Sequence, residues 1–199
     1  MTTRMRVALL ATCLLSACTP RAVAPPVTPQ RPRMQVFLLA GQSNMAGRGK
    51  VEAQDRVVHD RVFMLDRQLM WVPAVDPVHF DKPVAGVGPA RSFGISVADA
   101  DSTAIIGLVP TAVGGSPIAS WEPGALDAAT RTHPYDDAII RAREAMRSGT
   151  LMAILWHQGE SDSHEPASAL YEERLRALIE RFRTDLDRKS TRLNSSHRH

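Results

Sequence analysis

The residues Gly41-Gln42-Ser43-Asn44 place a serine directly after the apolar run Val36–Ala40. Two chemistries suit that position. Ser43 can cap the first turn of a helix, or it can attack a carbonyl. The second role needs a base to take its proton and N–H donors to hold the oxyanion that forms. The strand-to-helix elbow of the α/β-hydrolases requires Gly-x-Ser-x-Gly. Here Met45 stands where the second glycine belongs, so that arrangement is disfavoured. Other chemistries find no support. The seven histidines lack the spacing of metal ligands, and Cys13 and Cys18 are the whole cysteine complement. The turn Gly86-Val87-Gly88 lacks the third glycine and the preceding strand of a nucleotide loop.

The elements that would position Ser43 follow from hydrophobic periodicity. Gln35–Ala40, Ala104–Val113 and Leu151–Trp156 are near-continuous apolar runs, as expected of strands buried on both faces of a parallel sheet. Arg61–Leu65 and Leu69–Val75 are shorter extended stretches around a polar turn. Pro89–Ala100, Tyr135–Arg147 and Leu170–Leu186 have the three- and four-residue spacing of amphipathic helices. Strands alternating with helices imply an α/β sheet covered on both sides. In such sheets ligands sit at the carboxyl ends of the strands. Three runs end in polar or glycine clusters: Gly41-Gln42-Ser43, Gly114-Gly115-Ser116 and His157-Gln158-Gly159-Glu160.

The chain has 199 residues, enough for one domain, with 44% hydrophobic and 23% charged residues. Its formal charge of +3 does not point to nucleic acid. Eight basic residues lie before residue 34 or after residue 188, where there are no acids; without them the net charge is −5. The N-terminus has the form of a targeting segment. Arg4 and Arg6 precede the apolar run Val7–Ala17, which is too short to span a bilayer. Leu15-Ser16-Ala17-Cys18 resembles the bacterial lipobox, in which a cysteine is lipidated after cleavage. A simple secretory cut after Ala24 would place Pro25 directly behind the bond, which disfavours it. The expected organisation is a lipoprotein signal and lipobox over 1–18, a Pro-rich spacer over 19–33, a folded domain over 34–188 and a tail over 189–199. The tail has one apolar residue in eleven and resembles translated adaptor sequence.

Four blocks in order, GQSNMAGRG (41–49), GVGPARSFG (86–94), AVGGSPIASWEPG (112–124) and WHQGESD (156–162), resemble the sialate O-acetylesterase domain. This is carbohydrate esterase family 6 of the SGNH-hydrolase superfamily, and the resemblance covers Met34–Asp187. It implies a three-layer α/β/α, flavodoxin-like SGNH-hydrolase sandwich with a mainly parallel sheet, here without its last strand and helix. It implies that Ser43 is the nucleophile. The oxyanion hole would be the N–H of Ser43, an N–H of the Gly114-Gly115 turn and the Gln158 amide, which donates without a change of charge. Glu160 would orient a catalytic imidazolium or act as a structural carboxylate; both readings stand. Gln42, Asn44 and Arg48 would position substrate around the nucleophile, with Arg48 alternatively pairing with a surface acid. Trp121 and Trp71 would stack on a sugar ring or anchor core and loop.

The family takes its base from an Asp-x-x-His segment near the C-terminus. Asp76-Pro77-Val78-His79 has that spacing, but it lies before the second buried strand. His157 has the placement of a structural strand-end residue, and His197 and His199 fall in the tail. The expectation is therefore a base outside the residues given. The expected activity is a cofactor-free carbohydrate O-acetylesterase, anchored by lipid at the cell envelope, acting on sialate- or xylan-type acetyl esters. An inactive carbohydrate-binding relative or a truncated, non-functional fragment are the alternatives.

Overall fold

The computed structural model describes residues 33–187. The expected lipidation site Cys18, almost all of the 19–33 spacer and the 189–199 tail lie outside them. Five strands form one sheet: β1 Met34–Gly41, β2 Val62–Leu65, β3 Trp71–Pro73, β4 Ile106–Pro110 and β5 Gly149–His157. Their spatial order is β3-β2-β4-β1-β5, parallel throughout except for the β2–β3 hairpin pairing. The helices are α1 Ser43–Ala46, α2 Pro89–Ala100, α3 Pro134–Ser148 and α4 Ala167–Leu186.

The two-residue period of β1 assigns its side chains to two cores. Val36, Leu38 and Ala40 lie in one cluster with Ala138, Ala142 and Ala145 of α3 and Leu178, Phe182 and Leu186 of α4. Phe37 and Leu39 lie in the other with Met45 and Ala46 of α1 and Ala90 and Ala98 of α2. The sheet is thus the middle layer of a three-layer α/β/α sandwich, as the sequence implied. α2 and α3 each begin with proline, whose missing N–H is no loss at a first helical position. Asp136 and Asp137 add negative charge to the first turn of α3.

Several boundaries differ from the sequence-based expectation: β3 is only Trp71–Pro73, α4 begins at Ala167, and two others bear on the site. β4 stops at Pro110 rather than Val113, so Thr111–Gly115 is free to turn across the strand ends. β5 runs from Gly149 to His157, longer than the apolar stretch, because His157 still pairs with Gly41. Among the described residues β5 is an edge strand, and its Met152 is 54% exposed.

Candidate active site

The ends of β1, β4 and β5 are laced together by backbone hydrogen bonds. Gln42 N–H donates to the His157 carbonyl at 2.9 Å, and Val113 N–H donates to the Gly41 carbonyl at 2.9 Å. Gly41 makes this possible. It sits at φ +130°, and a Cβ there would overlap the His157 carbonyl. Directly beyond, α1 begins with Gln42 at the N-cap position and no side-chain capping bond. Ser43 is the first helical residue, so it is not the cap. It is half-buried, and among the described residues its hydroxyl has no hydrogen-bond partner. Its backbone N–H, at the start of a helical turn, likewise has no acceptor among them.

Behind Ser43 lie two interlocked amides, Gln42 buried and Gln158 partly buried. Gln42 is 3% exposed, and its Oε1 accepts from Gln158 Nε2 at 3.0 Å and from Ser161 N–H at 3.2 Å. Gln158 Nε2 also donates to the Ser116 carbonyl at 3.1 Å and to Asp162 Oδ2 at 2.6 Å. Three acceptors compete for the two hydrogens of this nitrogen, which fixes the amide's orientation. The Gln158 amide thus ties three loops together, a set of contacts the sequence expectation of an oxyanion donor did not include. Gln42 likewise makes contacts beyond its expected role, since its buried side chain is committed to Gln158 and Ser161. Asp162 was missed. It is 2% exposed, and its Oδ2 also accepts from Ile118 N–H at 2.8 Å. Its sequence signal was its place closing the block WHQGESD, two residues after Glu160. Tyr171, on α4, donates to the Gln158 carbonyl at 2.9 Å and accepts from Trp156 Nε1 at 3.2 Å. Burial pushes its phenol above the usual tyrosine range.

On the open side, Asn44 is exposed and its side-chain amide donates to Glu160 Oε1. His157 Nε2 lies 3.8 Å from the same oxygen. Glu160 is thus brought beside the nucleophile's neighbour and next to an imidazole. Arg48 donates to the buried Asp81 Oδ2 at 2.7 Å and to the Gly47 carbonyl at 2.6 Å. Its partner is a buried acid and not the surface acid the sequence offered as the alternative. Gly114 N–H donates to the same Asp81 oxygen at 2.7 Å. Of the Gly114-Gly115 turn, only the Gly115 N–H therefore remains without an acceptor among the described residues.

His79 is buried, and among the described residues its only hydrogen-bond partner is the Leu39 carbonyl, 3.4 Å from Nε2. Burial, the dominant cause, lowers its pKa to about 4. This buried, neutral imidazole makes no hydrogen bond to Ser43 among the described residues. Trp121 is 0% exposed, donates from Nε1 to Ser116 Oγ at 3.0 Å and meets Trp156 edge-on at 4.9 Å. It is a core anchor, not a sugar platform. Trp71, on β3, packs against Gly107, where a Cβ would meet its ring.

A depression of about 820 Å³ lies away from this chemistry along β5 and α4 and is lined by apolar chains such as Leu151, Leu175 and Phe182. A hollow of about 400 Å³ lies at the ends of β2 and β4, lined by Phe80, Asp81, Ala112 and Val113 among others. There Arg67 and Arg141 lie over the Phe80 ring, 4.6 and 4.9 Å from its centroid. Among the described residues no cluster of three or more metal-ligating side chains occurs, and no helix is long and apolar enough to cross a membrane.

Comparisons with known proteins accord with this geometry. Residues 33–193 match the family described as "Carbohydrate esterase, sialic acid-specific acetylesterase". A probable carbohydrate esterase of Arabidopsis thaliana is 36% identical over 192 residues, covering 85% of this chain and 70% of that one. An X-ray structure of an Arabidopsis thaliana protein superposes with a TM-score of 0.70 at 33% identity, over 80% of this chain and 72% of that one. The crystal structure of NanS gives 0.63 at 21% identity, covering 79% of this chain and 63% of that one. A carbohydrate acetylesterase from Xanthomonas citri gives 0.52 at 20% identity, over 76% of this chain and 38% of that one. At these two lower identities the likeness concerns the fold alone.

Proposed function

The chain belongs to the carbohydrate esterase family of sialic acid-specific acetylesterases, and from that premise we propose that it removes O-acetyl groups from carbohydrate with Ser43 as nucleophile. The observation that carries this reading is the placement of Ser43. It stands at the carboxyl end of a buried strand, half-exposed; among the described residues its hydroxyl is uncommitted, and two N–H groups of the neighbouring turns, those of Ser43 and Gly115, have no acceptor.

In this reading Ser43 Oγ attacks the acetyl carbonyl carbon while a base takes its proton. The carbonyl electron pair moves onto oxygen, and the N–H groups of Ser43 and Gly115 hold that oxyanion. Collapse breaks the carbon–oxygen bond to the sugar, whose oxygen takes a proton, and leaves acetyl-Ser43. Water then attacks the ester, giving up a proton to the base, and acetate leaves as Ser43 regains its hydrogen. Glu160, held by Asn44 and close to His157, is the acid this reading assigns to orient an imidazolium. The hollow beside Phe80 and Val113 is assigned to the sugar. Lipidation at Cys18 and a place at the cell envelope belong to the proposal on sequence grounds; incorporation of labelled fatty acid that vanishes in Cys18→Ser tests them.

A second reading is binding of acetylated carbohydrate without turnover. One observation favours it: among the described residues no histidine hydrogen-bonds the Ser43 hydroxyl. Acetate release from p-nitrophenyl acetate and from acetylated sugars, compared between the parent chain and Ser43→Ala, separates the two. The esterase reading expects the substitution to lower kcat by at least about 10³-fold with the fold intact. Equal turnover in Ser43→Ala refutes it, and saturable sugar binding without turnover establishes the second reading.

A further inference from the structure

Three side chains that no step of the reaction uses converge on one glycine. The Gly114 N–H is held by Asp81 Oδ2 at 2.7 Å, and the Gly114 carbonyl accepts from Lys82 Nζ at 2.6 Å. Asp81 is itself anchored: its side chain is 1% exposed, and the same oxygen accepts from Arg48 Nη2 at 2.7 Å. Arg48 also donates to the Gly47 carbonyl at the end of α1. The chain of contacts therefore runs from the helix that carries Ser43, through Arg48 and Asp81, to the turn after β4. The fit is close, since a Cβ on residue 114 would push against the Arg48 guanidinium and the Asp81 carboxylate and displace one or both.

The Lys82 contact has a specific consequence. The Gly114 carbonyl and the Gly115 N–H belong to one planar peptide unit, in which the two groups point in opposite directions. A cation fixed on the carbonyl therefore fixes the direction of the Gly115 N–H. It also polarises that N–H, because a hydrogen bond accepted at one end of a peptide strengthens donation at the other. Gly115 sits at φ +83°. In such a turn a rotated peptide, with a carbonyl where the N–H should be, is the close competitor. An ammonium group on the carbonyl disfavours that rotation. Ser161 Oγ, donating to the Gly115 carbonyl at 3.0 Å, secures the next peptide in the same turn.

We infer that Lys82, backed by the Asp81–Arg48 pair, is a positioning residue that presents the Gly115 N–H as an oxyanion donor for Ser43. The inference rests on the acyl-transfer reading above and assigns no contact between Lys82 and substrate.

Lys82→Met removes the cation and keeps much of the chain's bulk; Lys82→Arg restores a cation. Steady-state hydrolysis of p-nitrophenyl acetate should show kcat falling roughly tenfold to a hundredfold in Lys82→Met, short of the ~10²–10³ for outright loss of an oxyanion donor. KM should stay within about twofold, since a donor used in the transition state leaves ground-state binding alone. Lys82→Arg should recover most of the loss. In ¹H–¹⁵N spectra of the full chain, the Gly115 amide proton should move upfield in Lys82→Met and hold its place in Lys82→Arg. Lys82→Gln serves if Lys82→Met fails to fold. An unchanged kcat, a rise in KM alone, or an unmoved Gly115 resonance overturns the inference. If Ser43→Ala hydrolyses as fast as the parent chain, the acyl-transfer reading fails by itself, and with it the donor role of Gly115. The spectra still decide whether Lys82 sets the peptide.

Discussion

Acid should destabilise this fold through His79. The imidazole is 2% exposed, makes one long contact to the Leu39 carbonyl, and among the described residues leaves Nδ1 without a partner. Burial lowers its pKa from 6.5 to about 4. Asp81 opposes that shift, and Arg141 and Arg48 reinforce it. A base with a depressed pKa binds its proton more weakly in the native state than in the unfolded chain. The stability tied to its neutral form is therefore complete above about pH 6.5, falls as pH drops, and is gone below about pH 4. Two and a half pH units at one proton amount to about 3 kcal/mol, a large part of a typical total of about 5–15 kcal/mol. Urea unfolding at intervals from pH 7 to 4.5 measures this, with His79→Gln as the non-titrating reference. Asp76, whose carboxyl is raised chiefly by burial, titrates with the opposite sign. It is present in both proteins, so the difference between the two curves isolates His79. The parent chain should lose stability relative to the variant as pH falls, by up to ~1.4 kcal/mol per unit. Parallel curves would refute the claim that the fold holds this ring neutral.

The core assignment of Trp121 predicts that Trp121→Ala costs about 3–5 kcal/mol in urea unfolding, with KM for acetylated sugar unchanged in protein that remains folded. A raised KM without loss of stability would restore the sugar-stacking role. Asp162→Ala leaves the buried Ile118 N–H without an acceptor and takes one of three acceptors from Gln158. It should cost about 1–3 kcal/mol, and a change within ~0.5 kcal/mol would mean that Asp162 does not hold the site together.

The strand-end placement of the site was legible in the sequence. Apolar runs closing in Gly41-Gln42-Ser43, Gly114-Gly115-Ser116 and His157–Glu160 carry their own explanation: strands buried on both faces must be apolar along their length and can turn polar only at their ends. The direction of individual side chains was not legible. Gln42 and Gln158 look alike as polar residues beside a nucleophile, yet both amides face inward and bind each other across 116 positions of chain. Arg48 meets Asp81 across 33 positions, and nothing local to either residue announces the other.

The sequence alone determined the layer order of the sandwich, the two faces of β1 and the position of Ser43 at a strand end, because periodicity and turn residues act over a few neighbours. Tertiary structure decided the rest. Trp121 is core and not platform, His79 is a buried neutral ring with no hydrogen bond to Ser43 among the described residues, and the Gly115 N–H stays open while that of Gly114 is taken. Each of these depends on which loops the parallel register β4–β1–β5 brings to one edge. Once there, buried donors and acceptors must find partners among residues distant in the chain.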